Sequence, residues 1–280
     1  MKLGVITDCF NKPLLDSIAL AAELGLDGVQ IYATTETFSP GHMIWKQTEE
    51  VRSLLEKNNL VVSALCGDLG GYGFRIPEEN PERIEKTKRI IDLAEEFGSH
   101  VVTTHIGVIP SDKNNPTYGV MLAALTECGR YAQKHGVTMA IETGPEKATV
   151  LNGFVEDTDG GVGVNLDPAN FVMVTDQNPA EAVYLLKNKI VHTHLKDGKM
   201  LIKTDPQIIY DCFAQGGIES LNIADYFIET PIGEGGVDFV AYLKALRDVG
   251  FDGFLTIERE TGDDPAVDIR KACDFIRPLM

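Results

Sequence analysis

One junction recurs along this chain: a stretch with helical spacing stops at a glycine, and a few residues later a short apolar run begins. Leu14 to Leu24 leads into Gly25-Leu26-Asp27-Gly28 and the run Val29 to Tyr32. Nearly the same wording returns where Leu246 to Val249 leads into Gly250-Phe251-Asp252-Gly253 and Phe254 to Glu258. Two further copies are Phe97-Gly98 before Val101 to His105 and His135-Gly136 before Thr138 to Glu142. A glycine just past a helix accepts the left-handed backbone that turns the chain back towards a sheet. Helix followed by strand, repeated, restricts the chain to α/β architectures with parallel strands.

The intervals fill in the same rhythm. Helices are expected near Lys46 to Lys57, Pro81 to Glu96, Gly119 to Lys134, Pro179 to Lys187 and Pro265 to Ile276. Strand starts near residues 2, 29, 60, 100, 138, 162, 190 and 254 make eight βα units in 280 residues, the signature of a single (β/α)8 TIM barrel over 1–280. A doubly wound sheet is the alternative, but no GxGxxG follows the first strand. Residues 198–236 exceed an ordinary crossover, and we expect a lid or partner-contact insertion there.

Composition removes several function classes. A formal charge of -17 argues against nucleic-acid or anionic membrane surfaces and for a neutral or locally neutralised small-molecule partner. The 5 cysteines show no CxxC spacing and read as free thiols of a reducing compartment. The start MKLGVITDCF lacks a signal-like pattern and no apolar run approaches a membrane span, so a soluble cytoplasmic protein is expected, with self-association left open.

The chemistry lies where polar residues break the strand pattern. In VHTHLKD, His192 and His194 share one face of an extended strand. TIM-barrel sites form where strands end at the C-terminal face. Reading those ends gives Glu142 in TMAIETG, Asp167 in GVGVNLDPAN, His194 in VHTHLKD and Glu258 in GFLTIERE. Four successive strands thus deliver three carboxylates and an imidazole to one height. Such an oxygen-rich set suits one divalent ion, Mn²⁺ before Mg²⁺ or Co²⁺, with Zn²⁺ open; without a cation the carboxylates would repel and take up protons. A buried ion-pair cluster with Lys196 or Arg259 is the non-metal explanation, and His192 reads as support beneath His194. Gly233-Glu234-Gly235-Gly236 reads as a turn before the last helix rather than a phosphate cradle, since no basic residue accompanies it.

The wording VTTHIG, AIETG, NLDPAN, HTHLKD, PIGEGGVDF and TIERE, in order over almost the whole chain, resembles the xylose isomerase-like TIM-barrel superfamily, the sugar phosphate isomerases and epimerases related to inosose dehydratase and ketose 3-epimerases. The resemblance implies that Glu142, Asp167, His194 and Glu258 hold the metal and that Glu142 and Glu258 form the acid/base pair. The implied activity is that of a metal-dependent sugar or sugar-phosphate isomerase or epimerase working by proton abstraction beside a polarised carbonyl. An inosose-type dehydratase is the alternative, and a non-catalytic sugar-binding protein the alternative of another class. Ketose 3-epimerases carry a His where this chain has Asn170 and an Arg where it has Met200; Gln30 stands where the family often has Glu; HLKD is wording common among dehydratase-like members. Lys196 is expected to stabilise a developing oxyanion, and His105, Asn170, Asp197, Arg75 and Trp45 to contact substrate. Endonuclease IV of the same superfamily is disfavoured, because its larger His and carboxylate set is missing among 6 histidines.

Overall fold

The strands in chain order are β1 (Lys2–Ile6), β2 (Gly28–Tyr32), β3 (Val61–Cys66), β4 (Val101–Thr104), β5 (Thr138–Glu142), β6 (Val162–Leu166), β7 (Ile190–Leu195), β8 (Asp197–Met200), β9 (Phe227–Thr230) and β10 (Phe254–Ile257). The computed structural model describes residues 1–42, 45–218 and 221–280, with Trp45 described by its backbone alone. β1 to β7 and β10 pair side by side, all in parallel, and the β1–β10 pair closes the ring. The result is a TIM barrel, as the strand count predicts. β8 and β9 pair antiparallel outside it, so residues 198–236 are a built excursion rather than an extended loop.

Around the barrel run α1 (Leu14–Glu23), α2 (Trp45–Lys57), α3 (Asn80–Glu96), α4 (Pro116–Lys134), α5 (Ala148–Asp157), the single turn α6 (Pro168–Asn170), α7 (Pro179–Leu186), α8 (Pro206–Ala214), α9 (Phe239–Asp248) and α10 (Pro265–Ile276). The junction glycines behave as their wording implies: Gly25, Gly98, Gly136 and Gly250 have φ of 65, 67, 67 and 77°. α4 begins at Pro116, earlier than the apolar spacing suggests, because the Asn115 side chain accepts from Thr117 N and proline suits the first helical turn. Asn178-Pro179, Asp205-Pro206 and Asp264-Pro265 start α7, α8 and α10 in the same way.

The two similarly worded junctions flank β1. Asp27 accepts from Leu3 N at 2.8 Å on one side, and Asp252 pairs with the Met1 amino group at 2.7 Å on the other. Two register shifts interrupt the ring, one between Val29 and Gln30 in β2 and one between Val164 and Asn165 in β6. A bulge re-aims the side chain beside it, and both re-aimed residues touch the candidate site. The core lies between barrel and helices, with Tyr242, Phe154 and Phe171 fully buried; burying a side chain of this kind is worth roughly 1.5–3 kcal/mol. Among the described residues no helix is long and apolar enough to cross a membrane.

Candidate metal centre and active site

Glu142 ends β5, Asp167 and Glu258 each sit one residue past β6 and β10, and His194 lies one residue before the end of β7. One potential ligand atom from each falls within 4.8 Å of all the others, and all four residues are buried. Two carboxylate oxygens show what the set can hold. Asp167 uses Oδ1 to accept from Ala169 N at 2.7 Å, which leaves Oδ2 buried without a partner. Glu258 Oε1 accepts from Lys196 Nζ at 2.8 Å. Its Oε2 has no hydrogen-bond donor and lies 2.6 Å from His194 Nδ1, an ion pair when that ring is protonated. Buried carboxylate oxygens without donors are costly. Two of them converging beside an imidazole nitrogen fit a divalent cation.

Surrounding groups fix these donors. Gln30 Nε2 donates to Thr103 Oγ1 at 3.2 Å, so Gln30 Oε1, 3.1 Å from His194 Nε2, accepts from it. That places the proton on Nε2 and turns Nδ1 towards Glu258 and Glu142. His192 Nδ1 lies 2.9 Å from Asn165 Oδ1 and its Nε2 lies 3.0 Å from Thr256 Oγ1. Asn165 in turn donates to Glu142 Oε2 at 3.2 Å. His192 therefore supports Glu142 through Asn165, one residue removed from the site.

Electrostatics follow the geometry. Burial, then the neighbouring Glu258, pushes Asp167 up to about 7. Burial would raise Glu258 too, but Lys196 and His194 outweigh it and hold its carboxyl well below the usual range. Burial would lower His194, whereas Glu258 and Glu142 raise it well above an ordinary imidazole. Burial, with His194 close by, drives His192 well below it. One carboxyl pressed to stay protonated beside another held ionised is an arrangement that a bound cation would balance.

The cluster forms the floor of a cavity of about 1000 Å³. Of the expected contact residues, His105 lines it, with Nδ1 3.1 Å from Asp68 Oδ2 and Nε2 3.6 Å from Glu142 Oε1. Asn170 lines it and donates to Thr143 O at 2.9 Å, with Glu142 Oε1 at 3.4 Å. Arg75 lines it beside Asp211, 3.3 Å away. Lys196 lines it and bridges Glu258 and Glu260, at 2.8 and 2.6 Å. Arg259 instead pairs with Glu229 and Asp268. Asp197, expected at the substrate, does not reach the cavity: its carboxylate accepts from the backbone N–H of Gly198, Gly233, Gly235 and Val237. The glycine-rich turn is wrapped around that aspartate, so its amides are occupied. The Trp45 side chain lies outside the described residues.

Asn165 and Asp68 are site residues that strand-end reading passes over, although both could be found by the same rule. Asn165 breaks an apolar strand two residues before Asp167, and Asp68 follows the end of β3. Tyr210 and Glu229 come from the excursion and carry no such signal.

A family model described as xylose isomerase-like TIM barrel matches residues 18–279. The L-ribulose-5-phosphate 3-epimerase UlaE of Shigella flexneri is 37% identical over 278 residues, 95% of this chain and 89% of that protein. The crystal structure of a xylose isomerase domain protein from Planctomyces limnophilus superposes with a TM-score of 0.79 at 25% identity, covering 99% of this chain and 96% of the other. The probable 3-DHS dehydratase AsbF of Bacillus anthracis shares the fold, with a TM-score of 0.75 at 20% identity over 99% of this chain and 98% of its own. With the strand order, the strand-end carboxylates and a match over nearly its full length, this chain belongs to the xylose isomerase-like TIM-barrel family.

Proposed function

We propose that the protein is a metal-dependent sugar or sugar-phosphate isomerase or epimerase. The observation that carries the reading is the convergence of Glu142, Asp167, His194 and Glu258 on one point, with two buried carboxylate oxygens left without donors. These residues would hold one divalent ion, Mn²⁺ by preference for an oxygen-rich set, which when bound supplies polarisation of a hydroxy-carbonyl substrate. Glu142, held by Asn165 and Asn170, removes the proton from the carbon beside the carbonyl. Glu258, held by Lys196 just past β10, orients the substrate; isomerisation needs only that Glu142 return its proton to the adjacent carbon, whereas epimerisation draws the proton at the opposite face from the Lys196 ammonium through Glu258. His105, steadied by Asp68, and Asn170 contact substrate hydroxyls, and Tyr210 and Phe227 of the excursion line the cavity beside them.

A dehydratase reading rests on Lys196, whose ammonium stands beside Glu258 and Glu260 where a departing hydroxide could collect a proton. The two reactions differ in product: epimerisation leaves an isomer, dehydration a conjugated carbonyl with new ultraviolet absorbance.

The test is solvent deuterium exchange by the Mn²⁺-loaded protein over ketoses, inososes and their phosphates, followed by NMR. Exchange should depend on metal and fall at least about 100-fold in Glu142→Gln with metal still bound. Full exchange in that variant, or exchange without metal, overturns the assignment. Binding without exchange across the panel would instead mark a non-catalytic sugar-binding protein.

A further inference from the structure

The cavity is larger than its polar floor requires, and its lining is of mixed chemistry. At about 1000 Å³ it stands at the upper limit for pockets that enclose a drug-sized ligand, well beyond the needs of one sugar ring. The excursion contributes an apolar part of the lining, Phe213, Ile223, Phe227 and Ile228, beside its polar Asp211 and Glu229, and Met173 adds to it. Phe213 and Ile228 are 56% and 49% exposed although they line the cavity, so an apolar wall faces open space.

A row of rings joins the floor to this apolar lining. His105, 3.6 Å from Glu142, lies 6.0 Å from the Tyr210 ring, and Tyr210 lies 6.1 Å from the Phe213 ring. The path leads from the reacting centre to the exposed apolar wall. Tyr210 packs so closely over Gly144 that a Cβ there has no room, which ties the ring to the loop after β5. The rings are inclined to one another by 51° and 81°, so they offer faces and edges in turn to an attached ring lying along them.

The cavity is poorly equipped for phosphate. The cations that line the cavity are already paired: Arg75 with Asp211 at 3.3 Å, Lys196 with Glu258 and Glu260, and Arg259 with Glu229 and Asp268.

We infer that the substrate is a sugar bearing an apolar, ring-containing substituent and lacking phosphate: the polyhydroxylated head lies at Glu142, His194 and Glu258, and the substituent extends along His105, Tyr210 and Phe213. The inference rests on the proposed function for where the head binds, and it adds the substrate class.

Isothermal titration of the Mn²⁺-loaded protein with phenyl glycosides, methyl glycosides and 6-phosphates of a hexose panel tests it. For at least one hexose the phenyl glycoside should bind roughly tenfold more tightly than the methyl glycoside, the effect of burying one ring. That ratio should approach one in the double variant Phe213→Ala/Ile228→Ala, with circular dichroism and melting temperature as the folding control. A ratio near one in the unaltered protein, no binding by either glycoside, or tightest binding by a 6-phosphate that Arg75→Ala abolishes would overturn the inference. The two proposals fail separately. A phenyl preference without deuterium exchange on any sugar overturns the catalytic reading and keeps this one; exchange on unsubstituted sugars without phenyl preference does the reverse.

Discussion

Gln30 does more for the candidate centre than its neutral side chain suggests. By accepting from His194 Nε2 it fixes which imidazole nitrogen faces Glu258 and Glu142. Gln30→Ala should therefore lower Mn²⁺ affinity roughly 10- to 100-fold while the fold persists; an unchanged titration would show that His194 is oriented by other means. Glu146 is a second residue with a readable consequence. Burial pushes its carboxyl up to about 7, although Ile109 N donates to it at 2.6 Å. A raised carboxyl contributes stability that is full below its unfolded value near 4.5 and lost as pH climbs through about 7. Denaturant titrations from pH 4 to pH 8 should thus show Glu146→Gln flattening the decline in stability across that window, by on the order of 3 kcal/mol in all. A difference from the parent that does not vary with pH would contradict this. Strand-end residues such as Glu142 and Asp167 were legible because each breaks a local pattern. Gln30 was legible only as a departure from family wording, since its partner is 164 positions away.

At the scale of elements, the excursion is held at both ends by acidic side chains. Asp197, at the start of β8, takes four backbone N–H groups and so fastens residues 233–237 to the end of β7. Glu229 in β9 reaches Arg259 at 2.6 Å and Glu260 N at 3.1 Å, tying the antiparallel pair to the segment that carries Glu258. Removing Asp197 strands buried donors, each worth about 1–3 kcal/mol. Asp197→Ala should lower the melting temperature by several degrees and speed amide exchange over residues 231–237; retained protection with lost sugar binding would return Asp197 to the substrate. In the chain it reads as part of HLKD beside the site, because strand alternation says which way a residue faces only while the strand continues. β8 departs from the barrel immediately after Lys196, and alternation cannot show that departure.

For the whole molecule, a cation that binds the folded barrel alone must stabilise it. Free Mn²⁺ at about 100 times its dissociation constant should contribute roughly 2.7 kcal/mol, seen as a rise in melting temperature that chelator reverses. No shift at saturating metal would count against the centre as a whole. The barrel was legible in the sequence itself, because eight strand and helix units, several joined through the same glycine turn, call for a parallel sheet covered by helices, and their number with no GxGxxG after the first strand favours the closed form. So was the carboxylate-rich strand-end set, since barrel geometry brings all strand ends to one face. Only the tertiary structure decided how those groups are served: Gln30 against His194, Asn165 between His192 and Glu142, the rings of Tyr210 and Phe213 over the cavity, and Asp197 inside the glycine turn. The first two depend on register shifts in β2 and β6 and the others on where an irregular excursion folds back, and neither follows from a repeating pattern of apolar residues.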